Sequence, residues 1–361
     1  AAAAQLAADS WVGKTIGCFR FVEALAGGGM GVVYRAEQEH PRRQVALKLI
    51  RPDLRGFKAY EHAVYDPGLS RLHANEARWR NAGDDFRRPL NRYPEIRPAR
   101  LREMLGRHYG VDAANLLVTR GSSEAIDLLM RVFCEAGRDN VVTTRPTFSM
   151  YEHYAIVQGA ELRQVPTDPE ENFRVDVDRV LAACDAATKL IILCSPNNPT
   201  GSLVPADAIR EVLERRGDRS VVVVDEAYIE FSGAASAAEL VSQVDNLVVL
   251  RTLSKALAFA GARCGAVLAA RGVIDMLDAV QAPYAIATPV IECVEDALDA
   301  RGLARAAACV EETISERARV RAALAEHDRV RRTWPSAANF LLAEVADAAG
   351  LVAHCGANKI L

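Results

Sequence analysis

The chain has 361 residues, of which 50% are hydrophobic and 25% are charged, and its formal net charge is −3 at pH 7. This length and composition indicate a globular protein with one large two-lobed domain or two to three smaller ones. The near-neutral charge provides no basic surface for nucleic acid or for an anionic membrane, and no apolar run approaches the length of a membrane span.

The eight cysteines include no Cys-x-x-Cys pair, and several, such as Cys194 and Cys264, lie in apolar strand-like runs. We therefore expect reduced thiols, which are typical of a cytosolic protein. Residues Ala1 to Asp9 lack the basic flank and long apolar core of a signal peptide. The histidines show no metal-ligand spacing, so no metal site is expected. The sequence predicts a cytoplasmic protein.

The N-terminal part of the chain has a different pattern from the rest. Residues 12–50 predict short β-hairpins, with strands at Phe19–Leu25, Gly31–Ala36 and Gln44–Ile50 around a glycine-rich turn. From about residue 98, helical and strand-like segments alternate. Such alternation is typical of an α/β fold with a largely parallel sheet.

The predicted strands of that sheet are short apolar segments. Val221–Asp225 begins with four valines, and a continuously apolar strand is expected where both faces of a sheet are buried. The other strands are predicted at Leu116–Thr119, Asn140–Thr144, Leu190–Cys194 and Leu247–Leu250, with helices at Pro98–His108 and Ser122–Cys134. From Thr288, Ala- and Arg-rich helices and a strand at Asn339–Val345 predict a second, smaller α+β lobe.

Two residues near the ends of these strands carry the strongest chemical signal. Asp225 ends the all-valine strand, and Lys255 follows thirty residues later, directly after a serine. A lysine amine can form a Schiff base with the aldehyde of pyridoxal 5'-phosphate. A carboxylate can pair with the pyridine nitrogen of this cofactor, so that the ring acts as an electron sink. Alone, each residue is better explained as a turn cap or an exposed lysine, but together with the segments below they indicate this cofactor.

A phosphate site is predicted beside these two residues. Gly121–Glu124, which contains Ser122 and Ser123, joins a strand to a helix, where N–H groups, hydroxyls and the positive helix end can hold a phosphate. An ordinary helix cap is the alternative interpretation. Near Lys255, the side chains that can bind the same dianion are Thr252, Ser254 and Arg263.

Three further side chains are candidates for contacts with the cofactor ring. Asn198, in the turn-rich segment Ser195–Gly201, and Tyr228 can both hydrogen-bond the phenolic oxygen. A simple polar turn is the alternative for that segment. Phe148 follows a strand and can stack on the pyridine ring, with core packing as an equal alternative.

At these motifs the chain resembles histidinol-phosphate aminotransferases, which are fold-type I enzymes that depend on pyridoxal phosphate. The resemblance covers about residues 52–349, in the family's order and approximate spacing. The matching segments are Leu90–Pro94, Thr119–Leu129, Cys194–Gly201, Asp225–Phe231, Leu250–Ala256 and Gly261–Gly265. It implies a large domain with a mostly parallel sheet, a smaller C-terminal lobe, and transfer of an amino group between histidinol phosphate and 2-oxoglutarate in histidine biosynthesis.

The resemblance also implies roles for the candidate residues. Lys255 would be the Schiff-base lysine and the proton carrier, while Asp225 would hold the pyridinium. The remaining cofactor contacts would come from Tyr228 and Asn198 to the phenolic oxygen, from Ser122, Ser123, Thr252, Ser254 and Arg263 to the phosphate, and from Phe148 to the ring. Tyr93 would reach the cofactor phosphate of a neighbouring subunit, which implies a homodimer. Tyr60 is a weaker candidate for closing over the substrate.

Two segments depart from this family. The family ends with an Arg-Ile-Thr/Ser-x-Gly strand whose arginine holds the anionic group of the substrate, and the sequence up to Leu361 has no such motif. We therefore expect a truncated small lobe and an impaired substrate site. Residues 17–50 resemble the N-terminal lobe of a bacterial Ser/Thr protein kinase through Leu25–Tyr34 and Val45–Lys48. Because no His-Arg-Asp or Asp-Phe-Gly motif follows, phosphoryl transfer is not expected.

These boundaries predict a kinase-like fragment at residues 1–51, an aminotransferase arm at 52–85, a large cofactor-binding domain at 86–287 and an incomplete small domain at 288–361. Three alternatives stay open at this point. The chain could be another fold-type I aminotransferase, a phospho-amino-acid decarboxylase of the same fold, or a non-catalytic fusion protein that binds pyridoxal phosphate or a nucleotide.

Overall fold

The computed structural model describes residues 12–16, 19–28, 31–38, 43–49 and 74–360 of the chain. Its strands are β1 (Thr15–Ile16), β2 (Phe19–Gly28), β3 (Gly31–Gln38), β4 (Arg43–Leu49), β5 (Leu116–Thr119), β6 (Asn140–Arg145), β7 (Glu161–Pro166), β8 (Thr188–Cys194), β9 (Val221–Asp225), β10 (Leu247–Thr252), β11 (Gly265–Ala269), β12 (Val330–Thr333) and β13 (Ala343–Val345). Its α-helices are α1 (Ala99–Tyr109), α2 (Gly121–Phe133), α3 (Met150–Gln158), α4 (Val177–Ala182), α5 (Ala206–Arg216), α6 (Arg271–Val280), α7 (Thr288–Ala297), α8 (Ala300–Ala325) and α9 (Ala348–Ala357).

A seven-stranded sheet in the order β5-β11-β10-β9-β8-β6-β7 forms the centre of the fold. The neighbouring strands from β10 to β7 are parallel, whereas β11 is antiparallel to both β10 and β5. The predicted α/β fold with a mostly parallel sheet is thus confirmed, although β7 and β11 lie outside the predicted strands. Because β5 and the five parallel strands end at the same edge, their following loops meet there, where open α/β sheets bind ligands.

The four valines of β9 show why both faces of this sheet are buried. Val222 and Val224 pack into one apolar cluster with α1 and α5, while Val221 and Val223 pack into a second cluster with α2 and α6. All four are fully buried, and full burial of each valine contributes about 1.5–3 kcal/mol. The strand that carries Asp225 therefore lies at the centre of both halves of the core, which gives that residue a rigid support.

The C-terminal part contains the predicted helices and a small two-stranded sheet of β12 and β13. The predicted strand at Asn339–Val345 is only partly right, because the strand includes only Ala343–Val345. The preceding residues form a loop that docks on the large sheet's loops, where the Ala337 N–H donates to the Gly201 carbonyl at 2.8 Å. The strand is shorter than predicted because β13 pairs with β12 only from Ala343 to Val345.

Near the N-terminus, β1 to β4 form an antiparallel sheet in sequence order, which confirms the predicted hairpins. The resemblance of this segment to a kinase lobe stays a prediction. Within the described ranges, no helix combines the length and the apolar character that crossing a membrane requires.

Candidate active site

Loops at the ends of five strands surround a cavity of about 260 Å³ at one edge of the sheet. The cavity is lined by Ser122, Ser123, Phe148, Cys194, Asn198, Asp225, Ala227, Tyr228, Thr252, Ser254, Lys255, Ala260 and Arg263. Every cofactor-binding candidate from the sequence except Tyr93 therefore lies in the wall of one cavity. Arg263 reaches it because the antiparallel strand β11 begins at the same edge, two residues later.

One part of the cavity wall is rich in hydrogen-bond donors. Ser122 and Ser123 lie in the first turn of α2, which begins at Gly121 with a φ of 72°. A Cβ at Gly121 would come within 2.8 Å of Nη2 of Arg263, so glycine permits this close approach. The Thr252 hydroxyl lies 2.9 Å from that of its neighbour Ser254. The hydroxyls, the guanidinium and the positive end of α2 together form a site suited to a dianion.

A buried carboxylate forms another part of the wall. Asp225 is 2% exposed; its Oδ2 accepts a hydrogen bond from the Tyr151 hydroxyl at 2.8 Å, and its Oδ1 accepts one from the Ala227 N–H at 3.2 Å. Burial raises the pKa of Asp225 to about 6, while the two hydrogen bonds favour the charged form. A cationic partner in the cavity would stabilise this carboxylate, because it would replace the lost solvation.

Lys255 and Tyr228 are neighbours in the wall. The Nζ of Lys255 is 5.3 Å from the centroid of the Tyr228 ring, within the range of a cation–π contact. Burial raises the pKa of the Tyr228 phenol, and the charge of Asp225 acts in the same direction, whereas a hydrogen bond with Asn198 lowers it. The phenol therefore stays protonated and can donate a hydrogen bond to an anionic oxygen in the cavity.

Phe148 and the loop that carries it make contacts that the sequence did not single out. Its ring meets that of Tyr151 edge-on, with centroids 5.7 Å apart and an interplanar angle of 86°. The preceding Thr147 hydroxyl donates to Oδ1 of Asn197 at 2.7 Å, and Nδ2 of Asn197 donates to the Pro146 carbonyl at 2.9 Å. Asn197 thereby ties the loop of Phe148 to the loop that carries Asn198.

Sequence reasoning also missed Cys194, which lines the cavity, and Phe340, whose ring packs edge-on against Tyr228 with centroids 5.1 Å apart. One signal could have identified Tyr151, because it follows Phe148 by only three residues and lies in the first turn of α3. Phe340 comes from the distant C-terminal part, and no local pattern links it to this site.

Tyr93 does not line this cavity. It is 49% exposed, stacks on Tyr284 with ring centroids 4.6 Å apart, and lines a separate cavity of about 530 Å³. Tyr60 lies outside the described residues. Within those residues, no group of three or more His, Cys, Asp or Glu side chains could hold a metal ion.

Comparison with known proteins gives a consistent result. The family model described as aminotransferase class I and II matches residues 72–358. Histidinol-phosphate aminotransferase from Stenotrophomonas maltophilia (strain R551-3) is 46% identical over 306 residues, covering 84% of each chain, and the enzyme of the same name from Xylella fastidiosa (strain Temecula1) is 44% identical with the same coverage.

Among solved structures, histidinol-phosphate aminotransferase from Sinorhizobium meliloti in complex with pyridoxal-5'-phosphate superposes with a TM-score of 0.69. It is 24% identical and covers 75% of this chain and 74% of its own, which supports the shared fold. The predicted fold and enzyme class are thus confirmed. The family match over most of the sequence, together with the 46% identity to one relative, shows that this chain belongs to the class I and II aminotransferases.

Proposed function

We propose that the protein is a pyridoxal phosphate-dependent aminotransferase that moves an amino group between histidinol phosphate and 2-oxoglutarate in histidine biosynthesis. The observation that carries this proposal is the single cavity that contains a lysine amine, a buried carboxylate and a dianion site. The reaction class follows from the family, and the substrate is taken from the name that the relatives at 44–46% identity share.

The residues of the cavity fit the cofactor group by group. Its phosphate dianion matches the hydroxyls and guanidinium beside Gly121, where a Cβ would already fill the space next to Arg263. A protonated ring nitrogen is the cationic partner that the 2% exposed carboxylate of Asp225 lacks among the described residues, where it accepts hydrogen bonds from Tyr151 and Ala227. The aldehyde matches the amine of Lys255.

When bound, pyridoxal phosphate supplies an electron sink for the negative charge that develops at the substrate carbon. Lys255 would hold the cofactor through Nζ until the substrate amine displaces it, and the freed amine would then take the proton from the substrate carbon and deliver it to the former aldehyde carbon of the cofactor. Asp225 would keep the ring nitrogen protonated. Tyr228 and Asn198 would donate hydrogen bonds to the phenolic oxygen, and Phe148 would keep the ring plane in place.

The phosphate would be held by Ser122, Ser123, Thr252, Ser254 and Arg263. Each supplies a donor, and the positive end of α2 adds a favourable field. Because this set lies in the cavity that Lys255 also lines, binding the phosphate there orients the reactive aldehyde towards the amine.

A homodimer is part of the same proposal. The exposed Tyr93 would reach the cofactor phosphate of a second subunit, and the segment that carries it is held by buried acids. Arg88 pairs with Glu295 at 2.9 Å, and the Arg87 N–H donates to Glu292 at 3.0 Å. The cytoplasmic location that the sequence predicts also stays a proposal.

The test measures formation of glutamate from histidinol phosphate and 2-oxoglutarate by the protein with added pyridoxal phosphate. The wild type should be active, Lys255→Ala should be inactive, and the exposed Lys359→Ala should match the wild type. Borohydride reduction and peptide mapping should place the cofactor on Lys255. Full activity of Lys255→Ala, or cofactor bound to a different lysine, would contradict the assignment.

A further inference from the structure

Tyr151 is a fully buried tyrosine in the first turn of α3, and its hydroxyl has a specific partner. The hydroxyl donates to Oδ2 of Asp225 at 2.8 Å, so that the two carboxylate oxygens each accept one protein donor. Its ring meets Phe148 edge-on. A single side chain therefore contacts both the carboxylate and the aromatic ring that are proposed to hold the cofactor ring.

The other titratable and charged groups near this hydrogen bond are few among the described residues. Cys194, at the end of β8, pairs in register with Asp225, and its thiol donates to the Pro196 carbonyl at 3.4 Å. Burial raises the pKa of Cys194 to about 12, so the thiol is neutral. Tyr228, Lys255 and Arg263 line the same cavity. Tyr151 is itself neutral, because burial and the Asp225 charge raise its pKa well above the usual value.

We infer that Tyr151 is a positioning residue that orients the Asp225 carboxylate and keeps it ionised for the cofactor's ring nitrogen. This inference rests on the proposed function. The physical reason is that a phenol hydroxyl can donate to a carboxylate and stabilises its charged form, while the fixed ring limits the rotation of the acid. Neither effect requires Tyr151 to touch the cofactor.

The hydrogen bond from Tyr151 to Asp225 determines the direction in which cofactor binding changes with pH. Burial raises the pKa of Asp225 and the Tyr151 hydrogen bond lowers it. Without the hydroxyl, the pKa of Asp225 rises further, so the acid is protonated at a higher pH and pairs less well with a ring nitrogen. Cofactor binding should therefore weaken on the acidic side at a higher pH than in the wild type.

The test measures the Kd of pyridoxal phosphate by equilibrium dialysis across a range of pH. Tyr151→Phe keeps the ring against Phe148 and removes only the hydroxyl. We expect the decrease of cofactor affinity at acidic pH to begin about one pH unit higher than in the wild type, and binding to be about tenfold weaker on the acidic side, the scale of one hydrogen bond to a charged group. The matched control is Tyr109→Phe, which removes a buried hydroxyl that has no hydrogen-bond partner among the described residues.

A double-mutant cycle separates this role from a general structural one. In an Asp225→Asn background there is no carboxylate to ionise, so Tyr151→Phe should add no further pH shift. An unchanged pH dependence of the Kd in Tyr151→Phe would overturn the inference and leave the proposed function intact. An equal shift of this pH dependence in the Asp225→Asn background would do the same. A wild-type protein that binds no pyridoxal phosphate at any pH would overturn both.

Discussion

Replacing Arg251 by methionine would leave two buried carboxylates without the cation that they share. Arg251 lies in β10, one residue before Thr252, and its side chain is 7% exposed. Its guanidinium is 2.7 Å from Glu230 and 3.5 Å from Glu226, which directly follows Asp225. The guanidinium also covers the ring of Tyr109 at 4.5 Å. Arg251 thus joins the strand that leads to Lys255 to the loop that leads from Asp225 to Tyr228.

The expected loss in the free energy of unfolding of Arg251→Met is large because both acids are shielded from water. The side chains of Glu226 and Glu230 are 2% and 18% exposed. Removing one partner of a buried ion pair costs about 3–5 kcal/mol, a substantial share of the roughly 5–15 kcal/mol that stabilises a typical domain. Arg251→Lys keeps the charge but loses the planar guanidinium and its several donors. Its free energy of unfolding should therefore fall by about 1–2 kcal/mol.

The assay is urea unfolding of the variants at two pH values. Burial raises the pKa of Glu226 and Arg251 lowers it, so the pKa rises further in Arg251→Met. The folded variant then binds a proton that the unfolded chain has released, and its stability increases as the pH falls through that raised pKa. The penalty should therefore be smaller at about pH 5 than at about pH 8.

The control is the triple variant Arg251→Met, Glu226→Gln, Glu230→Gln, in which the whole cluster is neutral. It should recover much of the lost stability, since a neutral replacement leaves no uncompensated buried charge. A penalty below about 1 kcal/mol in Arg251→Met, or the same penalty at both pH values, would refute the reasoning.

Three further changes test other parts of the structure. Asp225→Ala should still allow covalent attachment of the cofactor at Lys255 but should slow proton removal from the substrate by at least about a hundredfold, measured in single turnovers; an unchanged rate would remove Asp225 from the proposed role. Gly201→Ala adds a Cβ that would clash with the Ser336 side chain at a φ of 74°, whereas the Cβ of Gly233→Ala, at a φ of 70°, meets nothing within 4 Å. Backbone strain should lower the free energy of unfolding of both variants by about 1–2 kcal/mol. Only Gly201→Ala should also raise the KM for the substrate. Equal KM values in the two variants would contradict the docking of the loop before β13 on Gly201. Leu105→Ala removes a fully buried core side chain and should cost about 2–5 kcal/mol in urea unfolding, without changing the pH dependence of cofactor binding.

Much of the fold follows from local sequence, and β9 shows why. Four consecutive valines can be buried only where a sheet is covered on both faces, and the polar residue that ends the run must lie at the sheet edge. The loops that carry Ser122, Asn198 and Tyr228 were predictable for the same reason, because each directly follows such a strand. The structure places all three in one cavity.

Other parts depend on partners that are distant in sequence. β11 (Gly265–Ala269) reads as a short apolar run, and only its antiparallel pairing with β5 and β10 makes it an inner strand. Strand β13 is shorter than predicted because only Ala343–Val345 pairs with β12. The sequence does not distinguish Tyr151 from other helix residues, because its hydrogen bond to Asp225 joins two segments that are distant in the chain.

The absorbance spectrum of the purified protein with pyridoxal phosphate, before and after addition of histidinol phosphate, tests the central claim most directly. We expect a band of the lysine-bound cofactor in the wild type, which is lost in Lys255→Ala and is converted by histidinol phosphate to the band of the aminated cofactor. A wild-type band that does not respond to histidinol phosphate would contradict the proposed substrate, and the absence of a band would contradict the assignment of the cavity as the cofactor site.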